Sequence, residues 1–278
     1  MLRTGLIGRS ILASRSPWLH EQEARAQGLD LTYTLFDFTA EERPDSDLSP
    51  LLHDLAAQGF SGVNITYPFK QAVIPLLDEL AESAELVGAV NTVEMRGRRL
   101  IGHNTDMTGF QGSLAEGLPG AAMDRVLQLG AGGAGTAVGT ALLMLGTGVL
   151  EITDIDSQRA RKLAARLSAR FGKDRAVAVE SATLDTARID GIVNSTPMGM
   201  AAYPDPAIDP ALILQHHWVA DIVYFPLETT LLRIARDRGC RVLNGSGMAV
   251  GQAALAFTIF TGHQADKARM QDSFLSAA

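Results

Sequence analysis

A chain of 278 residues with 46% hydrophobic and 20% charged residues has the size for two modest domains and the balance of an ordinary globular protein. Its net charge of −7, without a long basic run, argues against nucleic acid as a main partner. The single cysteine, Cys240, excludes an internal disulfide and fits a reducing compartment. The N-terminus lacks a secretory leader pattern. The apolar stretches around Thr136–Leu145 and Met248–Phe260 are too short or too polar for a bilayer, which needs about 20 apolar residues. These features predict a cytoplasmic protein with no membrane partner.

Strands and helices alternate along the chain. Thr4–Gly8 predicts a strand, and Ser16-Pro17 the opening of a helix, with Ser16 as its cap. Leu31–Phe38 reads as a strand, Leu48–Gln58 as a helix stopped by Gly59. In "FSGVNITYPFKQ", Val63, Ile65 and Tyr67 alternate with Asn64 and Thr66, the period of a strand that Pro68 ends. Phe69–Ala84 predicts a helix kinked or restarted at Pro75. Val87–Met95 and Arg99–Asn104 predict a hairpin around Arg96-Gly97-Arg98.

A second series follows a connection at residues 107–123. Its strands are predicted at Val126–Leu129, Val149–Asp154, Ala176–Val179, Gly191–Asn194, Val219–Tyr224 and Arg241–Leu243. Helices are predicted at Thr136–Leu145, Ser157–Phe171 and Glu228–Arg238. The Pro-rich "AAYPDPAIDP" reads as a surface loop. Alternation of this kind predicts an α/β fold with sheets covered on both faces, the second half a doubly wound, Rossmann-type dinucleotide-binding domain. The expected division is 1–106 plus 246–278 for one domain and 107–245 for the other, the last helices returning to the first domain.

"RVLQLGAGGAGTAV" places Gly130, Ala131, Gly132, Gly133, Ala134 and Gly135 between a strand and a helix. The first glycine of such a loop makes a tight turn, the second admits a pyrophosphate, and the third packs helix on strand. The helix N-terminus offers unpaired N–H groups and a positive dipole end. In "EITDIDSQRA", Asp154 and Asp156 are both candidates for the adenosine ribose, and one of them is expected to cap the helix that starts near Ser157. A carboxylate there repels the extra phosphate of NADP, so NAD is favoured over NADP.

The first half carries polar residues at the ends of apolar strands: Ser14 and Ser16, Asn64, Thr66 and Lys70, Asn91 and Thr92, and Asn104, Thr105 and Asp106. Taken singly, each has an ordinary reading as a cap, a turn residue or a solvated charge. The six histidines lack metal-ligand spacing, so no metal is expected. "RARKLAARLSAR" reads as a solvated helix face.

In order along the chain, "ASRSPWLH", "GVNITYPFKQ", "LVGAVNTV", "GHNTDMTGF", "LGAGGAG", "VNSTPMGM" and "GMAVGQA" resemble the shikimate dehydrogenase family. The family's usual "GxPxxHSxSP" is here "GRSILASRSP", and Met107 stands where a glycine commonly follows the aspartate. Asp154-Ile155-Asp156 replaces the Asn-Arg-Thr or Asn-Arg-Ser of NADP enzymes, which resembles the NAD-preferring shikimate/quinate branch. The resemblance implies reversible oxidation of shikimate or quinate, or an amino-substituted analogue, by a monomer or homodimer. It implies Lys70 and Asp106 as the catalytic pair, and Ser14, Ser16, Thr66, Asn91, Tyr224 and Gln252 around the substrate. The glycine loop would hold the pyrophosphate and Gly245 would lie near the nicotinamide. A cleft favours the neutral lysine amine and a carboxylate favours the ammonium, so the pair is expected to handle the proton together. Two rivals are a folate-type two-domain dehydrogenase and a non-catalytic nucleotide sensor. The first has no use for the Ser14/Ser16 pair, the second none for Lys70 and Asp106.

Overall fold

The computed structural model describes residues 1–276. The chain divides into two compact units, one of Met1–Gly109 with the segment from Val250 onward, the other of Phe110–Ala249.

The first unit opens with β1 (Leu2–Gly8), α1 (Ser16–Ala26), β2 (Leu31–Asp37), α2 (Leu48–Ala57) and β3 (Gly62–Ile65). Helix α1 begins at Ser16, so Ser16 is its first residue and Arg15 occupies the cap position, unlike the expected serine cap. Where one kinked helix was expected over Phe69–Ala84, the chain forms α3 (Phe69–Ala72), a 3-10 turn (Ile74–Leu76), β4 (Glu79–Leu80) and α4 (Glu82–Val87). Pro75 supplies no N–H to continue a helix, and the segment beyond it becomes an edge strand of the sheet instead. Gly88, at φ +66°, closes α4 in the left-handed region that a glycine adopts at little cost. Thus Val87 and Gly88 belong to a helix end, and the hairpin is β5 (Thr92–Arg96) with β6 (Arg99–His103).

These strands form one sheet in the order β2-β1-β3-β5-β6-β4. Strand β3 is buried along its whole length, because both faces of the sheet are covered. Phe38, Leu52, Leu55, Val63 and Phe69 fill one side under α2. Leu6, Ala24, Leu31, Tyr33 and Phe257 belong to a separate cluster that brings in α1.

Helix α5 (Asp106–Gly117) leads to the second unit, built of β7 (Arg125–Leu129), α6 (Gly133–Met144), β8 (Val149–Thr153), α7 (Ser157–Phe171), β9 (Ala176–Ala178), β10 (Gly191–Asn194), β11 (Trp218–Asp221), α8 (Thr230–Asp237) and β12 (Arg241–Leu243). All neighbouring strands are parallel, in the order β12-β11-β10-β7-β8-β9. Read from the other edge, this is the 3-2-1-4-5-6 order of a doubly wound dinucleotide fold. Central strands of such a sheet are buried on both faces and read as apolar runs, which explains why they were legible.

Helices α9 (Ser246–Thr261) and α10 (Lys267–Ser276) are the last elements of the described residues. An ion pair with one buried partner ties the last helix to the first unit. Glu23 of α1, whose side chain is 0% exposed, takes two hydrogen bonds from the Arg269 guanidinium. It also accepts the Asp266 N–H and the Gln27 amide. Burial works to raise the Glu23 pKa, but these donors outweigh it and hold the carboxyl below its ordinary value.

Candidate active site

In the first unit, the polar residues at the strand ends form an ion pair and, next to it in the chain, a hydrogen-bonded network. The α3 lysine, Lys70, places Nζ 2.6 Å from Asp106 Oδ2, with side chains 18% and 8% exposed. Two local devices aim them. The Lys70 carbonyl accepts the Val90 N–H, tying α3 to the segment before β5. Asp106 sits in the first turn of α5, where the helix dipole favours a carboxylate, and Asn104 Oδ1 accepts the Met107 N–H.

Asn91 is fixed against the same turn. Its Nδ2 donates to Thr105 Oγ1 (2.9 Å), and its Oδ1 accepts the Thr105 N–H (2.8 Å) and the Thr92 hydroxyl (3.1 Å). Asn64 Nδ2 donates to Thr92 Oγ1 and to the Asn91 carbonyl, while the Tyr33 hydroxyl donates to Asn64 Oδ1 at 2.8 Å. Burial lifts the Tyr33 phenol above its ordinary pKa, opposed by a hydrogen bond with Ser16. Ser14 and Ser16 meet through their hydroxyls at 3.2 Å. A path of hydroxyls and amides, half-buried at Ser14 and Ser16 and buried from Tyr33 onward, therefore runs through Asn64, Thr92 and Asn91 to the turn bearing Asp106. Asn64 and Thr92, two of the polar residues at strand ends, bridge this set, and Tyr33 is a member that the sequence did not single out. Thr66 lies beside it, its N–H on the Ile7 carbonyl. Gln252 lies on α9 within the first unit.

The loop that carries Ser14 is anchored by Asp37. Its carboxylate accepts the N–H groups of Ser10, Ile11, Thr39 and Ala40. Burial pushes its pKa up, but these four bonds prevail and it lies below its ordinary value. Ser10, with φ +55°, stands where the family pattern has proline, which has no N–H to give.

In the second unit, Gly130 adopts φ +99° and donates its N–H to the Thr153 carbonyl at 2.8 Å. A Cβ added at Gly135 would lie 2.4 Å from the Gly130 carbonyl oxygen, so this glycine lets helix and loop touch. A Cβ added at Gly132 would meet nothing within 4 Å, an open cradle before the first turn of α6. The N–H groups of that turn have no helical acceptors. This fits a dinucleotide pyrophosphate.

The two aspartates after β8 divide their work. Asp154 Oδ2 accepts the Ala131 N–H at 2.7 Å and Oδ1 the Asp156 N–H at 2.9 Å. Asp156 caps α7 by accepting the Gln158 N–H, and faces Arg159 at 3.5 Å. Beyond β10, Asn194 Nδ2 donates to the Met198 carbonyl and to Asp221 Oδ1. Thr229 donates to Asp221 Oδ2, and the Val223 N–H to Oδ1. Burial pushes the Asp221 carboxyl up to about 6 against these donors. Tyr224, 41% exposed, and Gly245 lie in this unit. Gly245 donates its N–H to the Val223 carbonyl and has no room for a Cβ beside Ile222.

Residues 6–93 match the family described as shikimate dehydrogenase substrate binding domain, and residues 245–273 the shikimate 5'-dehydrogenase C-terminal domain. A quinate/shikimate dehydrogenase (NAD(+)) of Corynebacterium efficiens is 46% identical over 275 residues, 98% of this chain and 97% of that protein. The chain belongs to the shikimate dehydrogenase family. A shikimate dehydrogenase (NADP(+)) of Streptomyces avermitilis is 50% identical over 268 residues, 96% of this chain and 92% of that one. The solved structure of quinate dehydrogenase from Corynebacterium glutamicum in complex with NAD superposes with a TM-score of 0.94 at 45% identity, covering 99% of each chain. So the family resemblance of the seven sequence motifs is borne out over nearly the whole chain. Among the described residues, no helix is long and apolar enough to cross a membrane.

Proposed function

We propose that this protein is an NAD-preferring dehydrogenase that reversibly oxidises shikimate, quinate or both at a ring hydroxyl. The observation that carries the reading is the Lys70–Asp106 ion pair at 2.6 Å, set at the end of a hydroxyl-and-amide path in a chain of this family. NAD, when bound, accepts the hydride released from the ring carbon. The ion pair handles the hydroxyl proton as a unit: the Lys70 ammonium passes one proton to the Asp106 carboxylate and takes the hydroxyl proton in its place, so the pair gains one proton as the hydride leaves. Ser14 and Ser16 offer hydroxyl donors to the substrate carboxylate. Asn91 spends one Nδ2 hydrogen on Thr105 and keeps the other for a ring hydroxyl. Thr66 and Gln252 complete the substrate contacts within the first unit.

The proposed division of labour gives substrate to residues 1–106 plus 246–278 and NAD to 107–245. The loop Gly130–Gly135 holds the pyrophosphate, Gly245 adjoins the nicotinamide, and Asp154 takes the ribose. The preference for NAD rests on charge. Ile155 is fully exposed and offers no cation to a 2'-phosphate, and Arg159 is engaged with Asp156. The buried free thiol of Cys240 suits a reducing cytoplasm.

The test is an initial-rate panel of shikimate and quinate, each with NAD and NADP, on the wild type and Lys70→Ala. Turnover with NAD above NADP is expected. The variant is expected to lose about 10²- to 10⁴-fold in kcat, the range of a general acid–base group, with little change in substrate KM. Absence of turnover on both acids overturns the substrate; a variant with near-normal kcat overturns the role of Lys70.

A further inference from the structure

In the second unit a buried glutamine has no part in the site described above. Gln128 lies on β7, between Val193 of β10 and Ile152 of β8, and is 0% exposed. The rest of that strand's buried positions are apolar. Its amide nitrogen donates to the Gly130 carbonyl and to the Gly135 carbonyl, both at 2.8 Å. These are the first and last glycines of the phosphate loop, so a single side chain spans the loop from base to base. Its oxygen Oε1 has no partner among the described residues. The helix also yields to it: a Cβ on Gly139 of α6 would lie 2.9 Å from Oε1.

Two features are thus unfavourable for folding alone. An unpaired buried acceptor is costly, and glycine is among the poorest residues for a helix interior. A leucine at position 128 would avoid the first. What the amide does hold is the separation of Gly130 from Gly135, and with it the direction of the N–H groups between them. We propose that Gln128 is a positioning residue for the dinucleotide: its amide clamps both ends of the glycine loop and presets the N–H groups that receive the pyrophosphate. The proposal rests on the reading of this loop as the NAD site, and its benefit is preorganisation, which lowers the ordering needed on binding.

The experiment compares wild type with Gln128→Leu and Gln128→Met. NADH affinity is read by fluorescence titration, stability by thermal melting, and loop order by amide hydrogen exchange over residues 130–136. Loss of the clamp is expected to weaken NADH about tenfold or more, the effect of one or two hydrogen bonds. Loop exchange should quicken, kcat at saturating NAD should change far less than the KM for NAD, and melting should be unchanged or higher. A merely structural glutamine gives the reverse: lower melting, with NADH affinity and loop exchange as in wild type. That result overturns the proposal, as does unchanged exchange in both variants. A wild type that bound no NADH would instead overturn the cofactor reading, while the exchange data still decide whether the clamp holds the loop.

Discussion

Asp154 and Asp156 show how far single residues can be read. Both precede a helix, and either could cap it or face a ribose; the sequence spacing does not choose. The structure makes Asp156 the cap of α7 and neighbour of Arg159, and fastens Asp154 to the glycine loop through Ala131. This division supports a sharp expectation for Asp156→Ser. Serine is itself a good N-cap, so stability should hold within about 0.5 kcal/mol. The substitution removes the carboxylate that repels a 2'-phosphate and releases Arg159 to meet it. The NADP to NAD ratio of kcat/KM should rise about tenfold, the value of a modest charge-assisted contact. A ratio unchanged in steady-state assays would assign discrimination to Asp154. The partners of other residues were hidden for a different reason. Asn64 alternates with Val63 and Ile65 and stands out in the sequence as a polar residue near a strand end. The sheet is covered on both sides, so Asn64 is buried and finds Tyr33, Thr92 and the Asn91 carbonyl. Which side chains lie across from it depends on strand order, which no local pattern carries.

Among the elements, the strand–glycine loop–helix unit was the most legible, since each glycine answers a local steric need. Segments governed by pairing were not: the residues after Pro75 have helix-compatible composition, yet Glu79–Leu80 joins the edge of the sheet beside β6. The two kinds of glycine in the loop can be separated by experiment. Gly135→Ala drives a methyl onto the Gly130 carbonyl and should cost about 1–3 kcal/mol of stability through overpacking. Gly132 has φ −76° and open space around its Cβ direction, so Gly132→Ala should melt like wild type. Its methyl would nevertheless fill the cradle proposed for the pyrophosphate, and NADH affinity should fall about tenfold or more, the cost of losing a close backbone approach. Thermal melting and NADH titration of both variants check this split. Equal NADH affinity in Gly132→Ala and wild type would show that the phosphates do not lie on that glycine.

At the scale of the whole molecule, the buried titratable groups are unevenly shared, and acid should therefore act on the two units differently. His20 in the first unit packs against Tyr33 with ring centroids 4.7 Å apart. Neither of its ring nitrogens has a hydrogen-bond partner among the described residues. Burial lowers its pKa from 6.5 to about 3. Between those values the unfolded chain binds a proton that the folded unit refuses, so stability falls as pH drops, by up to about 1.4 kcal/mol per pH unit. Glu23 and Asp37, in the same unit, have folded pKa values below their ordinary ones, and their contribution is likewise lost as pH falls through the carboxylate range. The second unit holds opposed groups. Burial lowers the His217 pKa, although both its ring nitrogens are bonded, and this favours acid sensitivity. Asp221 has the opposite sign: raised to about 6, it contributes stability at low pH that is lost as pH rises toward 6. Acidification from pH 7 to 5 should consequently open the first unit before the second. Hydrogen exchange, corrected for its intrinsic pH dependence, should show protection lost first in peptides of residues 1–109. His20→Leu, an apolar helix former of similar size, should raise the melting temperature more at pH 5 than at pH 7, because it removes both the unpaired nitrogens and the proton uptake. Equal loss of protection in both units, or a His20→Leu variant with the wild-type pH dependence, would show that this histidine does not set the acid limit of the fold.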